Sequence, residues 1–370
     1  MKVCYLINQL APGGAPTLLL DIARNMDEGV SVTVCQIEGD TDLTEKLTEA
    51  GAEVVNFGAD FKFDPRAIAR MISFFRQNEF DILHAHLPYS QTLARTIGRA
   101  GNVDTIVSTQ QSFPDNYHPI TRFLERHTRW LDDATVGITE AITQAFRESP
   151  VRTDWYTIYN GTDIPKFAEN VAAADPDQLR SELGLEDELI FLNVGRYVPV
   201  KSQKDAIRAM AAGVDQFSDS HLLIVGWGPL EEDLKQLATD LGIADSVTVT
   251  GRVPKDEIHE YYALGDVFVL PSISEGFGIC LTEAMAASLP VVASDIPGVR
   301  EVVADGETGF LVPPREPAEF ATAMKDLQSE QKRRTFGKAG FQRAAERFDI
   351  KSIVESHMDL YDQLMAKNRA

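Results

Sequence analysis

The sequence VFVLPSISEGFGICLTEAM, residues 267–285, carries the pattern that decides the fold. Its first four residues, Val267–Leu270, are apolar and predict a short buried strand. A polar loop with glycines at positions 276 and 278 follows, and an apolar run with helical spacing begins at Ile279. A buried strand that leads through a glycine-containing loop into a helix is the repeating unit of a parallel α/β sheet.

The same alternation of strand and helix patterns extends along the chain in two consecutive sets. The first set of predicted strands is Lys2–Asn8, Val30–Glu38, Ala52–Phe57, Asp81–His86, Thr105–Thr109, Ala134–Ile138 and Trp155–Tyr159, with amphipathic stretches at Pro16–Asn25, Pro65–Gln77, Gln91–Gly101 and Ile120–Leu131. The second set of strands is Leu189–Val194, His221–Val225, Ser246–Thr250, Val267–Leu270, Val291–Ala293 and Gly309–Val312. Two such sets predict an α/β protein with two doubly wound, Rossmann-like domains that face each other across a cleft.

The domain boundaries follow from where this alternation changes. We assign residues 1–165 to an N-terminal domain and residues 166–345 to a C-terminal domain. The pattern loosens over the Ala/Asp-rich stretch Phe167–Leu183 and then restarts. One helical stretch, about Phe341–Lys367, follows the last strand, and we expect the segment 346–370 to pack back towards the N-terminal domain.

The charge balance excludes some classes of function. The 370 residues include 35 Lys and Arg against 56 Asp and Glu, which gives a net charge of −21. Nucleic-acid binding needs a basic surface that displaces counterions, and adhesion to an anionic bilayer would need a local basic patch. The scattered acidic residues fit a halophilic surface or, equally well, an ordinary acidic cytosolic protein.

The cysteines and the first residues predict a cytoplasmic protein. Cys4, Cys35 and Cys280 are an odd number, are widely spaced and lack metal-ligand spacing, so we expect buried thiols in a reducing compartment. No run approaches the roughly 20 apolar residues of a membrane span. The apolar run at the N-terminus is too short for a secretory signal and predicts a strand instead.

Polar loops after two of the predicted strands have the chemistry of a ligand site. The loop that contains Glu275 lets the backbone approach a ligand, and the helix behind it offers unpaired N–H groups to an anion such as phosphate. Glu283, eight positions on, suits the hydroxyls of an elongated sugar–diphosphate–ribose molecule. Arg196 and Lys201, in the loop after Leu189–Val194, can converge on a diphosphate. Taken singly, each loop also has an ordinary interpretation. The segment with Glu275 and Glu283 fits equally well a capped loop with a solvated glutamate, and the loop with Arg196 and Lys201 fits an ordinary α/β loop.

Another glycine-containing turn, Gly226-Trp227-Gly228, superficially begins a dinucleotide-binding fingerprint. Glu231 stands where that fingerprint has its third glycine, so a dehydrogenase is a poor interpretation.

Together, these elements resemble the retaining, nucleotide-sugar-dependent glycosyltransferases of family 4, also called glycosyl transferases group 1, which have the GT-B fold. The resemblance covers nearly the whole chain. The matching motifs are the glycine-rich loop Asn8–Pro16 with Gly13-Gly14-Ala15, the segment Ile158–Asp163, Glu275 to Glu283 as the family's E-x7-E signature, and Ser288–Pro314 with Pro297-Gly298 and Asp305–Phe310.

The resemblance implies a hexosyltransferase that moves a sugar from a UDP- or GDP-sugar to an acceptor hydroxyl of a polysaccharide, glycolipid or protein glycan, with retention at the anomeric carbon. The donor is a substrate; no cofactor and no metal are expected, and the donor phosphate takes the acceptor's proton. The implied catalytic residues are Arg196, Lys201 and Glu275, and the implied donor-binding residues are Gly14, Gly195, Arg252, Val253, Gly276, Phe277, Gly278 and Glu283. The N-terminal domain would bind the acceptor and the C-terminal domain the donor.

The acceptor side departs from the family pattern. The family commonly has a histidine near the transferring carbon, where this chain has Gln111, and glutamine cannot carry a proton. His84 and His86 lie two apart on one strand and point to the same side. Hydrogen-bonded loop histidines are a better interpretation than a metal site, and we expect His86 to face the acceptor.

A basic and aromatic stretch, Arg122–Leu131, allows two interpretations. Its arginines and aromatic residues could rest on the inner face of a membrane near a lipid-linked acceptor. Alternatively, it forms a solvated face whose arginines pair with Glu125, Asp132 and Asp133.

Two other functions stay open at this point. A nucleotide-sugar 2-epimerase or a phosphorylase could use the same architecture, although no phosphorylase cofactor-lysine segment is visible. A non-catalytic nucleotide-sugar-binding module is the other alternative. The arginine, lysine and both glutamates favour the transferase.

The halophilic interpretation makes a prediction about salt. Self-repulsion should destabilise a chain of this charge in dilute buffer, and the Debye length falls from about 30 Å at 0.01 M to about 3 Å at 1 M salt. We therefore expect the melting temperature and the activity to rise together between dilute buffer and 1 M KCl. Equal values in both buffers would contradict the halophilic interpretation alone.

Overall fold

The computed structural model describes residues 1–11, 13–39, 42–147 and 153–369. Its internal contacts divide the chain into two compact units. Residues 1–161, together with the segment from Ile350 onward, form the first unit, and Thr162–Asp349 form the second. These limits lie four residues from each predicted domain boundary.

The first unit is a seven-stranded parallel sheet with helices between its strands. Its strands are β1 (Lys2–Ile7), β2 (Ser31–Gln36), β3 (Glu53–Asn56), β4 (Ile82–His86), β5 (Thr105–Gln110), β6 (Ala134–Gly137) and β7 (Asp154–Thr157). The helices are α1 (Gly14–Arg24), α2 (Thr44–Glu49), α3 (Pro65–Asn78), α4 (Pro88–Ala100), α5 (Pro119–Thr128) and α6 (Glu140–Arg147). The strand order is β3-β2-β1-β4-β5-β6-β7.

The second unit repeats this design with a six-stranded parallel sheet. Its strands are β8 (Leu189–Val194), β9 (Ser220–Val225), β10 (Val247–Val249), β11 (Val267–Leu270), β12 (Val291–Ser294) and β13 (Gly309–Val312), in the order β10-β9-β8-β11-β12-β13. Its helices are α7 (Ile164–Ala173), α8 (Pro176–Glu182), α9 (Gln203–Ala212), α10 (Glu231–Asp240), α11 (Ile258–Leu264), α12 (Ile279–Ala286), α13 (Pro297–Val302), α14 (Pro317–Asp326) and α15 (Glu330–Arg347). The last helix of the chain, α16 (Ile350–Arg369), belongs to the first unit.

The strand order reverses once in each sheet, between β1 and β4 and between β8 and β11. In open parallel sheets, ligands bind beyond the carboxyl ends of the strands at such a reversal. In the second unit, a ligand is therefore expected at the loops after β8 and β11, which carry most of the predicted donor-site residues.

Every predicted strand is present, but the helix predictions need two corrections. The Ala/Asp-rich stretch Phe167–Leu183 is not irregular, because α7 and α8 occupy most of it. Each begins after an aspartate, Asp163 or Asp175, whose carboxylate accepts a backbone N–H of the first turn, and a proline follows this cap by two residues or one. The single helix predicted over Phe341–Lys367 is two helices, separated at Phe348-Asp349.

No helix in the described part of the chain combines the length and apolar character needed to cross a bilayer.

Helix α16 contributes to a buried cluster of histidines and tyrosines in the first unit. The Tyr361 hydroxyl lies 2.6 Å from His84 Nδ1 and 3.1 Å from the hydroxyl of Tyr5. The ring centroid of His84 lies 4.6 Å from that of His86 and 5.4 Å from that of His357. All three histidines are buried. The close rings confirm that His84 and His86 share one side of β4.

This cluster predicts that the folded state is sensitive to acid. Burial lowers the pKa of all three histidines, and neighbouring imidazoles add to this effect for His84 and His86. The resulting pKa is about 3 for His86 and about 4 for His357. In the unfolded chain the pKa is about 6.5, so the unfolded state binds more protons below that pH. The contribution of the three neutral histidines to the free energy of unfolding is thus fully present above about pH 6.5. It is lost as the pH falls towards 4.

We expect the variant His357→Phe to lose less stability than the wild type between pH 7 and about pH 4.5, because it has one fewer buried imidazole to protonate. Urea midpoints measured at a series of pH values check this. The exposed His127→Gln variant is the control and should follow the wild type. Parallel pH profiles for wild type and His357→Phe would contradict the prediction.

Candidate active site

The loops that follow β8 and β11 are joined by a main-chain hydrogen bond and an ion pair. The N–H of Ile273 donates to the carbonyl of Val200 at 2.9 Å. Lys201 Nζ donates to Glu275 Oε1, which also accepts a hydrogen bond of 2.8 Å from Ser272 Oγ. The side chains of Lys201 and Glu275 are only 18% and 11% exposed. Two residues that the sequence separates by 74 positions therefore form one polar unit at the strand-order reversal.

The electrostatics of this unit keep Lys201 charged. Burial disfavours the ammonium form, but the neighbouring Glu275 carboxylate outweighs burial and raises the pKa of Lys201. Arg196 lies exposed near the start of the same loop, and Gln203 Nε2 fixes the backbone there by donating to the Arg196 carbonyl at 2.9 Å. The loop after β8 thus supplies a sheltered cation and an exposed one, which is what an extended anion such as a diphosphate requires.

The N-terminus of α12 continues the site. Its N-cap, Gly278, has left-handed backbone angles, with φ of 89°, and the helix has no side-chain cap. Uncapped N–H groups at a helix N-terminus bind anions. The neighbouring Phe277 ring is buried and packs edge-on against Phe348, with ring centroids 5.3 Å apart, so this residue can offer a ligand only its backbone.

Glu283, on the second turn of α12, is held by a residue that the sequence analysis missed. The Tyr262 hydroxyl donates to Glu283 Oε2 at 2.8 Å. The Tyr262 ring is buried, stacks on Phe268 and packs edge-on against Phe167, with centroid distances of 5.8 and 5.2 Å. An immobile phenol that donates to one carboxylate oxygen orients the other oxygen for a ligand.

Two glycines explain how the loops approach so closely. A Cβ atom at Gly298 would lie 2.3 Å from the Glu275 carbonyl oxygen, so only glycine lets α13 pack on the Glu275 loop. At Gly226, a Cβ atom would lie 2.0 Å from the Gly195 carbonyl oxygen. The turn that resembled a dinucleotide fingerprint is therefore a packing surface for the loop after β8.

Two of the predicted donor-binding residues, Arg252 and Val253, lie beside this turn. The Arg252 guanidinium lies over the exposed ring of Trp227, 5.7 Å from its centroid. The carbonyl of Trp227 accepts the N–H of Tyr197 at 2.8 Å, and the N–H of Gly195 donates to the Val225 carbonyl at 2.9 Å. Val253 follows Arg252 and is half-buried. An exposed aromatic ring is a surface on which a planar group can stack, as the Arg252 guanidinium does here.

Cys280 departs from the expectation for the cysteines. Cys4 and Cys35 are buried, whereas Cys280 is partly exposed on the first turn of α12. Burial of the sulfur raises the pKa of Cys280 to about 12, so this thiol stays protonated.

The predicted acceptor-side residues belong to the first unit. His86 is completely buried, and its Nδ1 lies 3.3 Å from Nε2 of Gln111. Gln111 is half-buried and accepts a hydrogen bond of 3.2 Å from Asn160 Nδ2. The His86 ring has no exposed atom, and its role towards the acceptor stays a prediction. Gly14, exposed at the first residue of α1, is the remaining predicted residue of this unit.

The match to family models assigns the chain to a family. Residues 12–166 match the model of glycosyltransferase family 4, and residues 175–343 match the model of glycosyl transferases group 1. The chain belongs to this glycosyltransferase family. The family predicted from the sequence motifs is thereby confirmed.

Curated relatives of this glycosyltransferase are similar over part of their length. The chain is 32% identical over 257 residues to the GDP-mannose-dependent alpha-(1-6)-phosphatidylinositol monomannoside mannosyltransferase of Mycolicibacterium smegmatis, which covers 67% of this chain and 58% of the relative. It is 37% identical over 213 residues to the D-inositol 3-phosphate glycosyltransferase of Thermomonospora curvata. That match covers 54% of this chain and 49% of the relative. The chain thus spans about half the length of these curated relatives.

Solved structures confirm the fold. HepE from Anabaena, in complex with UDP-glucose, superimposes with a TM-score of 0.84 at 23% identity and covers 98% of this chain and 100% of its own. This likeness and the two parallel sheets show the predicted GT-B fold with two Rossmann-like units.

Proposed function

We propose that this glycosyltransferase moves a hexose-type sugar from a UDP- or GDP-sugar to an acceptor hydroxyl, with retention at the anomeric carbon. The observation that carries the proposal is the polar unit of Lys201 and Glu275 beside the uncapped N-terminus of α12, at the strand-order reversal of the second sheet. The names of the relatives support both bases, because one is GDP-mannose-dependent and a structural neighbour is a complex with UDP-glucose.

In this proposal the donor diphosphate lies between Arg196, Lys201 and the first turn of α12. As the bond from the anomeric carbon to the phosphate oxygen breaks, negative charge grows on the diphosphate. Preorganised cations and N–H groups stabilise that charge without reorganisation. The acceptor oxygen bonds to the same carbon, and its proton moves to the departing phosphate.

The two glutamates bind opposite ends of the donor. Glu275 and the backbone of residues 276–278 contact the sugar and the distal phosphate, and Glu283 accepts the ribose hydroxyls. Arg252, Val253 and the Trp227 face take the base. On the acceptor side, Gln111 is the residue for hydrogen bonding, since it is only half-buried whereas His86 behind it is sealed.

We expect Arg196→Ala to lower kcat by about 10²–10³-fold, the range for loss of one preorganised donor to developing charge. Arg196 is exposed, so its loss should leave folding intact. The correct donor is first found by thermal shift with a panel of UDP- and GDP-sugars. Arg208→Ala is the matched control, because Arg208 is also exposed but pairs with Asp205 on α9 and should keep wild-type turnover.

Product analysis separates the proposal from its alternatives. A transferase forms nucleoside diphosphate and a glycosylated acceptor or free sugar. Formation of a second nucleotide-sugar isomer would show an epimerase, and donor binding without any product would show a binding module. Wild-type turnover in Arg196→Ala would overturn its role at the diphosphate.

Tyr262→Phe tests how Glu283 is positioned. A hydrogen bond to a charged group contributes about 1.5–3 kcal/mol, so its loss should weaken nucleoside diphosphate binding by tenfold or more. The kcat at saturating donor should change little, since the ribose lies away from the reacting carbon. Calorimetric titration with UDP or GDP measures this affinity. The control is Tyr261→Phe, which changes the adjacent half-buried tyrosine. Equal affinities in both variants would contradict the positioning role.

A further inference from the structure

Helix α5 and the turn Arg129–Leu131 that follows it expose large apolar side chains in the first unit. Ile120, Phe123 and Trp130 are 65%, 59% and 65% exposed. His127 is exposed between them and stacks on Phe123, with ring centroids 4.0 Å apart. Positions 120, 123 and 127 share one face of α5, and Trp130 follows in the next turn, where its Nε1 donates to the His127 carbonyl at 3.0 Å. We call these four residues the α5 stripe.

The opposite face of α5 is fixed by buried charges. Glu125 and Arg129 are each 2% exposed at the side chain and form an ion pair. Gln110 Nε2 donates to Glu125 Oε1 at 3.1 Å, and the Arg95 guanidinium lies 3.6 Å from the same oxygen. The Arg129 guanidinium also lies over the rings of Phe146 and Trp155. Turning the α5 stripe inward would break this buried network, so the stripe is held outward.

The charges beside the α5 stripe are positive, although the chain as a whole is strongly acidic. Arg122 and Arg126 are exposed next to the stripe. The partner of Arg122 is Asp115, at 2.8 Å, with both side chains exposed. Asp132 and Asp133, the partners expected from the sequence, are instead taken by Arg95 and Arg99. The expected pairing with Glu125 holds only for Arg129, which is buried.

We propose that the α5 stripe binds the surface of an anionic phospholipid bilayer. Ile120, Phe123 and Trp130 enter the headgroup region, and Arg122 and Arg126 contact the lipid phosphates. Apolar and aromatic residues on one face of a helix, with flanking arginines, are the features of an interfacial helix, and tryptophan favours the membrane–water interface. The charge complementarity between the lipid phosphates and Arg122 and Arg126 selects an anionic surface, whereas the rest of this acidic chain is repelled by one. This partner goes beyond the proposed transfer reaction and does not depend on it.

Vesicle flotation of the full chain tests the proposal without an activity assay. The wild type should float with vesicles of equal phosphatidylcholine and phosphatidylglycerol in 50 mM salt, and not with pure phosphatidylcholine. The variant Ile120→Ser/Phe123→Ser/Trp130→Ser should lose binding. Arg126→Gln should bind about five-fold more weakly, as expected for one arginine near an anionic surface. The matched control Val214→Ser/Leu241→Ser, which removes exposed apolar side chains in the second unit, should bind like the wild type.

Tryptophan fluorescence gives an independent measure of insertion. Trp130 and Trp227 are the exposed tryptophans in the described residues. The variant Trp227→Phe removes one of them, so that Trp130 is then the exposed tryptophan that reports contact with lipid. Brominated acyl chains in the anionic vesicles should quench this variant's emission and shift it to shorter wavelength. The same vesicles should not quench a Trp130→Phe variant.

Three results would overturn the proposal. The first is absence of wild-type binding to the anionic vesicles, and the second is undiminished binding of the triple variant in flotation. The third is a dimer of the wild type that forms with increasing concentration in sedimentation velocity and is absent in the triple variant, while neither protein binds vesicles. A second copy of the chain would then cover the α5 stripe. Circular dichroism spectra that match the wild type verify that the triple variant is folded. If the triple variant does not fold, the Arg126→Gln variant still tests the proposal.

Discussion

The ion pair between Lys201 and Glu275 is the interaction on which the candidate site depends. It connects the loops of two strands, β8 and β11, that are neighbours in the sheet but far apart in sequence. Removing one partner of a buried pair typically costs about 3–5 kcal/mol, because the other charge stays desolvated. An ammonium group has three N–H donors, so Lys201 can keep Glu275 in place and still bind a phosphate oxygen. The pair therefore fixes the loops and preorganises the cation at once.

The rest of the site is arranged around these two loops by backbone contacts rather than by further charges. Gly298 and Gly226 bring neighbouring main chain against the loops at distances that a side chain would forbid. Asn193, at the end of β8, donates to the Val269 carbonyl at 2.7 Å and ties the two strands together just below the loops. A site of this kind tolerates little movement, which is what stabilisation of a developing charge requires.

The strands and the site loops could be predicted from sequence because their signals are local. Buried parallel strands are continuous apolar runs, and the spacing of Glu275 and Glu283 lies within one loop and helix. The pairing of Lys201 with Glu275 and of Tyr262 with Glu283 could not be predicted, because both depend on which strands are neighbours. Helices α7 and α8 had readable signals in the sequence, because Ile164, Phe167 and Val171 recur at helical spacing and Asp163 and Asp175, with prolines one or two residues on, are N-caps.

The burial of His86 was also not readable from the strand that contains it. Periodicity placed His84 and His86 on one side of β4, but not what lies there. His357 and Tyr361, on the last helix of the chain, pack against His84 in the same buried cluster, more than 270 positions away in sequence. A side chain's direction along a strand therefore does not show whether solvent or a distant part of the chain lies opposite it, and here helix α16 lies opposite His84.

An acidic protein with the proposed anion site balances two electrostatic effects of different range. The net charge of −21 repels an approaching nucleotide-sugar over distances set by the Debye length. The attraction of Arg196, Lys201 and the α12 N-terminus acts at contact, where salt screens it less. Added salt should therefore remove repulsion before it weakens the site. The same reasoning applies to α5, where Arg126 acts locally against the field of the whole chain. In both proposals, the placement of a few cations counts for more than the total charge.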